Sequence, residues 1–111
     1  MVESLQAAVK RFDLAVAGLD DPAHAPLDPL EAQLLRQAYL RRADAVAELG
    51  QYDMAMDHYA AVERRFGEEP TALEALVRMA NLAHLQGDEG AARSATNRAR
   101  VKLRRVRPGQ I

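Results

Sequence analysis

At 111 residues the chain has the length of one domain, and without Cys it has no disulfide, thiolate nucleophile or zinc–thiolate site. Its formal net charge of −1 hides a split. Residues 1–89 carry eight basic and sixteen acidic groups, a net −8, whereas residues 90–111 carry seven basic groups and no acidic one. No run approaches the roughly 20 apolar residues of a membrane span. Near the start, Glu3, Lys10, Arg11 and Asp13 interrupt any signal-like apolar core, so the default location is cytoplasmic, unless the chain is a piece of a longer or envelope-associated protein. Arg far outnumbers Lys and Ala is abundant, a bias typical of GC-rich bacterial genomes. With aromatics at only 5%, the core must come from many small contacts between closely approaching helices.

The first predicted helix covers residues 3–19, where Leu5, Ala8, Val9, Phe12, Ala15 and Val16 recur at three and four residues and form one apolar stripe. Gly18 offers it a stop. A connector follows over residues 20–28, holding Pro22 and Pro26 with Pro29 just after it, and with room for a short turn after Asp21-Pro22. Asp28 then reads as an N-cap, Pro29 as the first helical residue and Glu31 as the closing member of a capping box. That second helix should run through Leu49 and end at Gly50, burying Leu34, Leu35, Ala38, Tyr39, Ala43, Val46 and Leu49.

A third helix is predicted from Tyr52 to Phe66, with Tyr52, Ala55, Met56, Tyr59, Val62 and Phe66 on its apolar side. A fourth begins at Pro70 or Thr71, where Thr71 and Glu74 match a capping box, and runs to Gln86. Its apolar positions are Leu73, Leu76, Val77, Ala80, Leu82 and Ala83. The last runs from Asp88 to about Arg105, with Ala92, Ala95, Ala99, Leu103 and Val106 as a narrow stripe among arginines. Five helices and no strand make the chain all-α.

Residue patterns for catalysis are missing. Ser4 and Ser94 are the only serines, and no nucleophile elbow or glycine-rich phosphate loop occurs. His24, His58 and His84 lie on separate segments, and none has a second histidine at metal-ligand spacing. Asp53 and Asp57 share a helix face, but His58 points about 100° away from Asp57. Neither an enzyme activity, a metal nor a cofactor is expected.

The chain repeats itself. Laying Gly50 on Gly87, 37 residues on, brings Tyr39 onto Leu76, Ala43 onto Ala80 and Ala55 onto Ala92. Laying the first helix on the third brings Ala8-Val9 onto Ala55-Met56 and Phe12 onto Tyr59. The helices therefore alternate between two kinds, and the first is half a unit. Tyr39, Ala43, Gly50, Tyr52, Ala55, Tyr59 and Pro70, echoed by Leu76, Ala80, Gly87, Ala92 and Ala99, resemble the tetratricopeptide repeat in a slightly lengthened bacterial form. Arg42 stands where that family usually has Leu.

The resemblance implies a right-handed superhelical stack of antiparallel helix pairs, a helical repeat or α-solenoid. It would form a single domain over residues 1–107: a half repeat 3–19, the connector 20–28, repeat one 29–69, repeat two 70–106, and a tail 108–111. It further implies a non-catalytic scaffold that binds a protein or peptide segment on a concave face. By the resemblance that face is lined by Gln37, Leu40, Asp44, Ala47 and Glu48, then by Glu74, Val77, Asn81, His84 and Leu85. Asn81 matches an Asn with which some relatives hold a terminal carboxylate, but Val77 replaces the accompanying Lys. The mixture of acidic, amide and apolar groups suits a basic or amphipathic peptide.

The basic end forms a second candidate surface: Arg93, Arg98, Arg100, Lys102, Arg104, Arg105 and Arg107. One reading is an anionic surface, nucleic acid or membrane. The acidic remainder of the chain and the lack of interleaved aromatics count against nucleic acid. A second reading is a solvated helix whose cations suit the C-terminal end of its dipole. A third is contact with the acidic face of another module or copy, and exposed end helices allow self-association.

Overall fold

The computed structural model describes residues 2–105. The described residues are all-helical: α1 (Val2–Leu19), α2 (Pro29–Glu48), α3 (Tyr52–Phe66), α4 (Pro70–Leu85) and α5 (Glu89–Arg105), with no strand among them. Val106, Arg107 and the tail 108–111 lie outside the described residues. Contacts divide the chain into two compact units, one ending at His58 and one beginning at Tyr59, so the division falls within α3.

In the first unit α1 packs on α2. The α1 stripe from Leu5 to Val16 is half-buried, and Leu35, Ala38, Leu40, Ala43, Ala45 and Val46 of α2 are buried. Removing a Leu side chain from water contributes about 1.5–3 kcal/mol. Two long-range polar contacts fix the pair. The Tyr39 hydroxyl donates to Asp20 Oδ2 at 2.5 Å, and Arg42 Nη1 donates to Asp13 Oδ1 at 3.1 Å. The α2 start is as the sequence demands: Glu31 N–H donates to Asp28 Oδ1 at 2.7 Å, and Asp28 N–H donates back to Glu31 Oε1 at 3.2 Å. The connector makes one tight turn, with His24 N–H donating to the Asp21 carbonyl.

In the second unit α4 packs on α5. Ala72, Ala75, Leu76, Met79, Leu82 and Ala83 of α4 are buried, as are Tyr59, Val62 and Phe66 of α3 and Ala95 of α5. Alanines at these contacts let the helix backbones come close.

The two glycine turns are built alike. Gly50 has φ +82° and Gly87 φ +77°. In the first, Gly50 N–H donates to Ala47 and Gln51 N–H to Val46. In the second, Gly87 N–H donates to His84 and Asp88 N–H to Ala83. Both are the paired-bond ending in which a left-handed glycine satisfies the last carbonyls of a helix. Asp88 then caps α5, its Oδ1 accepting from Ala91 N–H at 3.0 Å.

The first helix ends at Leu19 as expected, one residue past Gly18. Two local expectations change. Thr71 does not cap α4: Pro70 takes the first helical position, so the cap falls on Glu69, which makes no side-chain cap bond. Leu34 is 49% exposed, while its neighbour Leu35 is buried to 1%.

Candidate functional site

The residues named on the sequence for a groove belong to two helices in two units, and each set stands by itself. On α2, Gln37 and Glu48 are exposed and Asp44 is half-buried, but Leu40 is only 8% exposed. The reason is the breadth of the α2 core face. Leu35, Ala38, Leu40, Ala43, Ala45 and Val46 spread over more than half of the circumference at 100° per residue, so Leu40 falls within the buried face of the helix.

On α4 the expected face is open. Glu74, Val77, Asn81 and His84 are all exposed, and Leu85 beside them is 75% exposed. These positions recur at three and four residues opposite the buried side of the same helix, so one rigid element carries a core face and a mixed apolar–polar stripe.

Asn81 and His84 also border a cleft against α5 of about 360 Å3, lined in addition by Glu89, Arg93, Asn97 and Arg100. The sequence assigned Asn81 and His84 to one surface and Arg93 and Arg100 to another, and the fold brings the four to one cleft. His84 Nδ1 lies 2.8 Å from Glu89 Oε1, with both side chains more than half exposed. A His–carboxylate pair thus exists, but in an open cleft where water screens it. The nearby Thr96 hydroxyl donates to the Ala92 carbonyl within its own helix. Among the described residues no three His, Asp or Glu side chains come together as metal ligands would.

The basic end resolves into two rows. Arg98 Nε donates to Glu63 Oε2 at 3.3 Å, Lys102 Nζ donates to the Gly67 carbonyl at 2.6 Å, and Arg105 lies 4.0 Å from Glu68. These three tie α5 to the end of α3. Arg93, Arg100 and Arg104 are exposed on another side of α5 and have no ion pair among the described residues. Arg107 lies outside the described residues.

One polar centre escaped the sequence reading. Arg42 is inserted between helices with its side chain only 14% exposed. Its guanidinium reaches Asp13, stands 5.2 Å from the centre of the Tyr39 ring, and leaves Nε buried without a hydrogen-bond partner. Nearby, burial pushes the His58 imidazole below its ordinary pKa, and the Arg42 charge adds to this, opposed by Asp13 and Asp57. The contact joins residues 29 apart in sequence, which no local pattern could signal.

On α1 and α2, with Met54 of α3, a more apolar cleft of about 560 Å3 is lined by Val9, Lys10, Val46, Leu49 and Gln51 among others. It includes none of the residues named for the groove. No helix among the described residues is long and apolar enough to cross a membrane. Comparison with known proteins finds no matching family model, curated protein or solved structure.

Proposed function

We propose that this chain is a non-catalytic, tetratricopeptide-like interaction module that binds a segment of another protein along the open face of α4. The observation that carries the reading is the α4 stripe. Val77 and Leu85 expose apolar surface, and Glu74, Asn81 and His84 supply polar groups between them. Exposed apolar side chains at helical spacing, interleaved with donors and acceptors, suit an amphipathic protein segment.

A stack of antiparallel helix pairs is part of this proposal, and three features support it. The two glycine turns have equivalent hydrogen bonds 37 residues apart. Asp13 meets Arg42 while Asp20 meets Tyr39, so partner numbers fall as chain numbers rise, the pattern of antiparallel helices. Glu63, Gly67 and Glu68 meet Arg98, Lys102 and Arg105, so α3 and α5 run alongside in one direction at nearly the repeat spacing. Helix pairs of this kind bury their faces by stacking on neighbours.

The test is affinity capture of interacting proteins by the native chain and by a variant carrying Val77→Ser, Asn81→Ala and Leu85→Ser. All three positions are exposed, so the fold should survive. A specific protein recovered with the native chain and lost with the variant supports the proposal. Equal recovery by both, or no specific partner, refutes it.

A further inference from the structure

The arginines of α5 do unequal work. Arg98, Lys102 and Arg105 are used inside the molecule, on Glu63, Gly67 and Glu68. Arg93, Arg100 and Arg104 form the other row, with Asn97 between. At 100° per residue these four side chains fall within about 60° of the helix circumference. Glu89, one turn before Arg93, is held by His84. The row is thus a line of cations that no carboxylate among the described residues neutralises.

The first unit carries its complement. Asp53 and Asp57 occupy one face of the first two turns of α3, both exposed and without an ion pair to Lys or Arg among the described residues. Met54 and Tyr52 beside them are exposed, as are Val101 and Leu103 beside the arginines.

We propose that the arginine row of α5 docks on the Asp53–Asp57 face of a second copy of this chain, head to tail. Spacing favours it. Arg100 and Arg104 are four residues apart, as are Asp53 and Asp57, so two guanidinium–carboxylate pairs about 6 Å apart along each helix form together when the helices lie side by side. Charge favours a copy over a foreign polyanion. Residues 1–89 carry a net −8, which repels an added polyanion, whereas in a second copy the same charge is part of the docking surface. The apolar neighbours on both faces add surface that leaves water on contact. The arginine row has no aromatic among it on which a nucleic-acid base would stack. Because the two faces differ, the contact is heterologous, and each copy that joins leaves one basic and one acidic face open.

The experiment is sedimentation velocity on the full chain at about 0.01 M and about 1 M salt, which bracket weak and strong screening. The native chain should grow in mass with concentration at low salt and return to monomer at high salt. R100E/R104E and D53K/D57K should each be monomeric at low salt, with circular dichroism confirming that both are folded. Mixed in equal amounts they should associate again, because the α5 row of each is then opposite in charge to the α3 face of the other. A native chain that stays monomeric at low salt overturns the proposal, even if R100E/R104E abolishes its retention on heparin or anionic vesicles. So does association that both variants retain, or a mixture that stays monomeric. None of these outcomes bears on the α4 stripe, whose readout is a different protein.

Discussion

Alanine should destabilise the protein at Gly50 and at Gly87 and stabilise it at Gly18. At φ +82° and +77° the first two residues are left-handed. A Cβ built at either meets no heavy atom within 4 Å, so crowding contributes nothing. What remains is the strain of an L side chain in that region, about 1–2 kcal/mol. It is offset by about 0.4–1 kcal/mol from a stiffer unfolded chain. The net loss is about 1 kcal/mol at each turn. At this chain length that lowers Tm by roughly 5 °C. Gly18 sits inside the last turn of α1 with φ outside the left-handed region and the same open surroundings. Alanine there keeps the stiffening and removes the helical cost of glycine, a gain of about 0.5–1 kcal/mol. Thermal melts followed by circular dichroism read all three, with Gly50→Asn as a control that tolerates the left-handed region better than alanine. If G50A and G87A melt at or above the native temperature, or G18A melts below it, the backbone argument is wrong.

Two more predictions concern the core and its polar inclusion. Leu35→Ala should cost about 2–5 kcal/mol and Leu34→Ala under about 1 kcal/mol, measured by urea unfolding, because only Leu35 is buried. His58 is held below its ordinary pKa by burial and by Arg42. The unfolded chain therefore binds the proton more readily, and stability should fall as pH drops below the unfolded value of about 6.5 toward the folded one. Unfolding curves at stepped pH should show this slope, and His58→Asn should flatten it. Arg42→Met removes the nearby cation and the orphaned Nε while leaving half-exposed Asp13 to water. It should raise the His58 pKa, followed by proton NMR, and leave stability unchanged or higher by about 1 kcal/mol. A fall of several kcal/mol in R42M would show that the Arg42–Asp13 contact is a net stabiliser.

The parts of the fold that are decided locally were legible. Asp28, Pro29 and Glu31 specify the start of α2 through contacts three residues apart, and Gly50 and Gly87 mark the turns because few other residues take that backbone. What escaped depends on non-local packing. The neighbours Leu34 and Leu35 differ only in which one faces another helix. Leu40 was a groove position only by the family resemblance, whereas the broad core face of α2 buries it. Thr71 matched a capping pattern, but Pro70 sets the helix start two residues too early for it to act. Arg42 meets Asp13 across a distance in sequence that periodicity does not reach. The division of the α5 cations into two rows is implicit in a helical wheel, yet only Glu63, Gly67 and Glu68 reveal which row is used internally.

The central claim is that the exposed α4 stripe is where another protein binds. A photo-crosslinking amino acid placed in turn at Leu85, at Val77 and at Arg64, an exposed position on α3 outside the stripe, tests it most directly. A discrete crosslinked species to another protein is expected from positions 85 and 77 and none from 64. Crosslinking from 64 alone, or equally from all three, would contradict it.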